Sequence, residues 1–141
     1  MTEDLAQWLG NQLDEDERIA RGATWCDEAA SWHTEPSPYG ARDKGQRWYI
    51  EDAMDDGVIS HVDPAASDDE GVARHIATHD PARVLREIDA KRQIVEQHKR
   101  YAAERRRTMG GWDPQSDDSP ILAALASVYA DRPGYREEWR P

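Results

Sequence analysis

The stretch from Asp80 to Arg107 reads DPARVLREIDAKRQIVEQHKRYAAERRR, and the fold turns on what it becomes. Asp80 offers a side-chain acceptor for the free N–H groups of a first helical turn, and Pro81 has a fixed φ and no N–H to lose. Val84, Leu85, Ile88, Ile94, Val95, Tyr101 and Ala102 follow at helical spacing. Gly110 and Gly111 then supply a stop. The pattern predicts a long helix over 81–107 and a loop over 108–118.

On the N-terminal side, Asp63 to Glu70 is polar and acidic and reads as a loop entering a short helix over 70–78. Pro36, Pro38, Gly40, Gly45 and Gly57 punctuate the preceding residues, which are rich in aromatic and β-branched types. Strands are expected at 31–35, 47–52 and 58–62, with Asp55, Asp56 and Gly57 turning between the last two. The chain opens with Leu5, Trp8, Leu9, Leu13, Ile19 and Ala20 at helical spacing. Thr2 is the expected cap there, giving a helix over 3–21. Ser119 and Pro120 repeat the cap device ahead of Ile121, Leu122, Leu125, Val128 and Tyr129, a final helix over 120–130. Tyr135 and Trp139 in the tail share a helical face and can pin the terminus to the core. The expected class is α+β and helix-dominated: a long antiparallel helical hairpin, a small antiparallel β-meander and a short C-terminal helix, in one domain over 1–141.

Only 19 of 141 residues are Leu, Ile or Val, and Phe is absent. With a net charge of −11, that composition lies toward the disordered side of the globular boundary. Six Trp and five Tyr oppose it, because each buries roughly 150–250 Å². Cys26 is the one cysteine, so no internal disulfide forms. The acidic N-terminus is unlike a signal peptide, and no run approaches the ~18 apolar residues that span a bilayer. A cytoplasmic protein with no membrane partner is expected.

Charge is distributed unevenly. Residues 82–107 carry nine basic and four acidic side chains, whereas residues 51–70 carry eight acids and no base. Residues 1–35 hold nine acids against Arg18 and Arg21. The bland explanation pairs the basic long helix with the acidic first helix across an apolar seam. A functional one exposes Lys99, Arg100, Arg105, Arg106 and Arg107 to nucleic-acid phosphates, with Tyr101 free to stack on a base. The acidic remainder of the chain opposes that. In a third reading the acids mimic DNA and inhibit a nucleic-acid-binding protein.

Catalytic signatures are missing: there is no Gly-rich phosphate loop, no nucleophile elbow and no Cys with a matched His. The adjacent acids Asp55/Asp56 and Glu137/Glu138 do not project to a common point. His75 and His79 stand four apart on a helix and Asp80 follows, which makes them weak candidates for Zn²⁺. His33, His61 or a loop acid would have to complete that set. No cofactor is expected.

Three blocks carry a resemblance: LDEDERIARGAT (13–24), HIATHDPARVLREIDAKRQIVEQH (75–98) and YADRPGYREEWRP (129–141). Together they resemble a family of small actinobacterial and actinophage proteins of unknown function. The resemblance implies such an origin, and it brings no activity, cofactor or catalytic residue. It places His75, His79, Asp80, Pro81, Arg83 and Arg86 inside the family pattern. Some relatives carry a Cys pair where this chain has GGWDPQSDD (110–118), so a metal role tied to those cysteines does not transfer. The expected function is a non-enzymatic binding or accessory protein acting on a host or phage protein. The long helix and the aromatic-rich sheet would serve it, through Trp48, Tyr49, Tyr135 and Trp139 besides the basic cluster. Homodimerisation through the long helix is a further expectation.

Overall fold

The computed structural model describes residues 3–37, 47–64, 68–110 and 114–141. The fold is α+β and helix-dominated. In chain order it runs α1 (Leu5–Gly22), β1 (Trp32–Pro36), β2 (Trp48–Asp52), β3 (Gly57–Val62), α2 (Asp69–Thr78), α3 (Pro81–Met109) and α4 (Pro120–Ala126). Short 3₁₀ turns cover Glu28–Ala30, Ser116–Asp118, Ser127–Tyr129 and Glu137–Trp139. Thr2, Pro38, Gly40, Gly45 and Gly111, used above as cap, punctuation and stop, lie outside the described residues. Two compact units arise: one from Arg18–Arg86, the other from Met1–Glu17 with Glu87–Pro141.

In the first of these units the strands form an antiparallel sheet of order β1-β2-β3. Strand β2 alternates strictly, with Trp48, Ile50 and Asp52 buried and Tyr49 and Glu51 half-buried. The inner face of Trp48, Ile50 and Val62 meets α2 through Ala73, with Trp32, Val72 and Ile76 packed around it. A small side chain at 73 lets the helix axis approach the sheet, so the indole rings supply the filling volume. The Arg74 guanidinium covers the Trp48 ring at 5.2 Å.

Each helix start here is chemically closed. The Asp68 carboxylate accepts the Gly71 N–H at 2.6 Å and so caps α2. Asp80 does more: Oδ1 accepts the Arg83 N–H of α3 at 2.8 Å, and Oδ2 accepts the Trp32 N–H of β1 at 2.9 Å. It both starts α3 and ties that start to the sheet. At the β2–β3 turn, Asp52 Oδ1 accepts the Met54 and Asp56 N–H groups, while Asp55 takes a left-handed φ of 63°. Aspartate tolerates that region better than most residues.

The second unit joins the N-terminal part of α1 to α3 beyond Glu87. Leu5, Leu9 and Leu13 are fully buried on α1; Ile88, Val95 and Ala102 are buried on α3 at seven-residue spacing. Arg92 donates to Asp14 and Glu17, whereas Asp4 and Gln7 line a groove with Lys99 and Arg106. Low numbers on one helix thus face high numbers on the other, and the pair is antiparallel. Asp14, Asp16 and Glu17 are all engaged, and Asp16 accepts from Tyr129 Oη and from Arg132. The start of α1 is closed from a distance, because Asp117 accepts the Leu5 N–H and Ser116 Oγ the Ala6 N–H, while Asp4 accepts that of Gln7. Asp4 is therefore a local acceptor at this helix start.

Around Trp8 the tail forms an aromatic cluster. The rings of Tyr135 and Trp139 lie 5.6 and 5.4 Å from it, and Trp8 Nε1 donates to the Pro133 carbonyl. Gly134 has a φ of +88°, and a Cβ there would stand 2.7 Å from Trp8 Nε1. Only glycine permits both the turn and the close indole.

Candidate functional site

The apolar stripe read from α3 divides in two. Ile88, Val95 and Ala102 face the core, whereas Ile94 and Tyr101 sit one position earlier in the same seven-residue rhythm. They are rotated by roughly 100° and are 38% and 49% exposed. Ile121, at the start of α4, is 63% exposed. These three side chains line one groove of about 850 Å³, with Gln93 and Gln97 on one wall and Pro120 on the other. Its position follows from local structure: the Ser119 hydroxyl accepts the Leu122 N–H, and Pro120 takes the first turn. That start directs Leu122 inward and Ile121 outward.

The basic candidates lie on the following turns of α3. Lys99, Arg100, Arg106 and Arg107 are exposed, and Arg105 is half-buried with its guanidinium 5.7 Å from the Tyr101 ring. Arg100 stands 3.9 Å from Glu96, one turn back. Cations at a helix C-terminus also offset the negative end of the macrodipole, so this cluster has a structural role of its own. The aromatic candidates are placed differently. Trp48 and Trp139 are buried and serve as core, and Tyr135 is half-buried beside Trp139. Tyr49 lies on the outer face of the sheet, where its hydroxyl donates to Glu35. That hydrogen bond is the main cause of a phenol pKa raised above its ordinary value.

His75 and His79 do come together, with ring centroids 4.4 Å apart. His79 Nδ1 lies 2.8 Å from the His75 carbonyl, which commits that nitrogen to closing the end of α2. Both Asp80 oxygens are occupied by backbone N–H groups. Among the described residues, the convergence of three metal-competent side chains is found instead at His33, Glu51 and Asp55. Sequence spacing hides it, because His33 and Glu51 meet only through the β1–β2 register.

None of the described helices is long and apolar enough to cross a membrane. No curated protein and no solved structure matches the chain. Its membership is fixed by a match that runs through α1, the sheet, α3 and the aromatic tail alike: residues 2–141 fit the model of a family of unknown function (DUF6221), and the chain belongs to that family.

Proposed function

We propose that this chain is a non-enzymatic binding protein that takes an amphipathic helix of a protein partner into the groove between α3 and the start of α4. The observation that carries the reading is the convergence of Ile94, Tyr101 and Ile121, all exposed, on that one groove. Large apolar side chains grouped on a surface favour contact with a partner, and Tyr is enriched among the residues that dominate binding energy. Residues 90–101 of α3 line it over roughly 16 Å at 1.5 Å per residue, the length of a three-turn helix. The amide side chains of Gln93, Gln97 and Gln115 supply a polar rim.

The setting we assign is the cytoplasm of an actinobacterium, with the chain of bacterial or phage origin and a host or phage protein as partner. The resemblance of its three sequence blocks to actinobacterial and actinophage proteins supports this. A photo-reactive side chain at position 121 tests it. Crosslinking to a partner helix is expected in the wild type, and Ile94→Asp should weaken capture by roughly 30-fold, the loss of one central anchor. Capture unchanged by Ile94→Asp and Tyr101→Ala, or turnover of a small molecule by the free protein, overturns the reading. A crosslink to a second copy assigns the groove to homodimerisation instead.

A nucleic-acid reading draws on the exposure of Lys99, Arg100, Arg106 and Arg107 beside Tyr101. It requires binding that falls steeply with salt and with alanine at 105–107. The absence of any DNA or RNA shift at low salt removes it.

A further inference from the structure

The outer face of the sheet carries a different chemistry from the groove. His33 on β1 and Glu51 on β2 are direct cross-strand partners, with side chains 43% and 31% exposed. Just past Glu51 the chain turns, and the left-handed conformation at Asp55 returns its carboxylate to the same end of the sheet. One donor atom from each of His33, Glu51 and Asp55 lies within 4.8 Å of the other two. We propose that these three side chains form a binding site for one divalent transition-metal ion of the zinc type.

Spacing is the first argument. His33 Nε2 stands 3.5 Å from Glu51 Oε2, beyond the usual N–H···O range of about 2.7–3.2 Å. Two donors each about 2.1 Å from a tetrahedral ion stand ~3.4 Å apart. The pair is therefore too wide for a good hydrogen bond and correctly spaced for a shared ion. Asp55 closes the third side with a side-chain rotation of the sort an exposed residue makes freely.

Charge is the second. Residues 51–56 contain four acids and no Lys or Arg, so Glu51 and Asp55 repel each other unless a cation lies between them. Asp52, which lies between Glu51 and Asp55 in the chain, is already engaged: Oδ1 accepts the Met54 and Asp56 N–H groups and Oδ2 the Trp25 indole N–H. It shapes the turn that presents Asp55, which makes it a positioning residue rather than a ligand. Imidazole with two carboxylates is a donor set that favours Zn²⁺, Co²⁺ or Ni²⁺ over Ca²⁺ and Mg²⁺, which take oxygen ligands. Three protein donors are one short of a closed structural zinc site, so a fourth position stays with solvent. This site is independent of the groove and of its partner.

The test titrates the untagged full chain with Zn²⁺ by calorimetry and with Co²⁺ by visible absorption, following the five histidines by NMR. One ion per chain is expected, with the His33 ring resonances moving and those of His75 and His79 fixed. His33→Ala and Asp55→Asn should each weaken binding by at least roughly tenfold, whereas the double variant His75→Ala/His79→Ala should bind as the wild type does. Circular dichroism confirms that the variants, altered at exposed positions, are folded. Three results overturn the proposal: no bound Zn²⁺ or Co²⁺ at millimolar metal, binding abolished only by the His75/His79 variant, or Ca²⁺ held as tightly as Zn²⁺ with no effect of His33→Ala.

Discussion

Tyr129 and Tyr135 carry the same hydroxyl into opposite circumstances. Tyr129 Oη donates to Asp16 at 2.7 Å, and its ring lies 4.6 Å from the Arg132 guanidinium. The Tyr135 hydroxyl is buried with no hydrogen-bond partner among the described residues. One substitution should therefore act with two signs. Tyr129→Phe leaves Asp16 short of a donor and should destabilise by about 1–2 kcal/mol; Tyr135→Phe removes a desolvated, unsatisfied group and should be neutral or stabilising by up to ~1 kcal/mol. Urea denaturation of the two variants measures both. Tyr129 also sets an alkaline limit, because burial first, then the hydrogen bond to Asp16, raises its pKa well above the ordinary 10.0. The native state keeps the phenol proton where the unfolded chain loses it. This contribution is intact below pH 10 and declines above it by about 1.4 kcal/mol per pH unit. Tyr129→Phe should flatten that decline in melts taken between neutral pH and the alkaline limit.

The pairing of α1 with α3 raises the question of whether opposite charge or apolar contact holds the two helices. Arg92 bridges Asp14 and Glu17, but its side chain is 36% exposed and that of Asp14 is 72% exposed. Ion pairs in that setting contribute about 0–1 kcal/mol and are screened by salt. Leu9 on α1 is fully buried, and truncating such a side chain typically costs 2–5 kcal/mol. Leu9→Ala should thus destabilise several times more than Arg92→Ala, and only the difference between wild type and Arg92→Ala should shrink in high salt. Charge asymmetry was legible in the sequence, and it located this pairing without supplying most of its strength. Legible too were the helix starts at Asp80 and Ser119 and the place of β2 in the chain, since each is a local pattern of a few residues; which face of β2 turns inward was not, because its alternation is short. The split of the α3 stripe into core and groove was not, because Ile94 and Val95 are adjacent in sequence and only a packed neighbour decides which of them turns inward. Nor was the meeting of His33 with Glu51: strand register depends on a connection whose length and composition do not fix it.

At the scale of the molecule, aliphatic and aromatic side chains share the core, and members of each kind also reach the surface. A chain with seven Ile leaves Ile19, Ile94 and Ile121 exposed, while Trp8, Trp48, Tyr129 and Trp139 are buried. Indole and phenol rings add volume to the aliphatic core of both units: Trp48 with Trp32 against α2, and Trp8 with Tyr135 and Trp139 under the tail. Aliphatic side chains are scarce here, so their placement in an open groove is a feature that a stable fold does not require and that a binding surface does. The two roles can be separated by measurement. Trp139 is 2% exposed, and its replacement by Ala should cost about 3–5 kcal/mol, a large share of the ~5–15 kcal/mol that holds a typical domain. Ile94→Asp with Ile121→Asp alters exposed positions and should leave stability within about 0.5 kcal/mol per site. Thermal melts by circular dichroism should show Trp139→Ala melting well below the wild type and the double Asp variant melting close to it. A double variant that unfolds instead would mean that these isoleucines are core, and the groove would lose its claim to a partner.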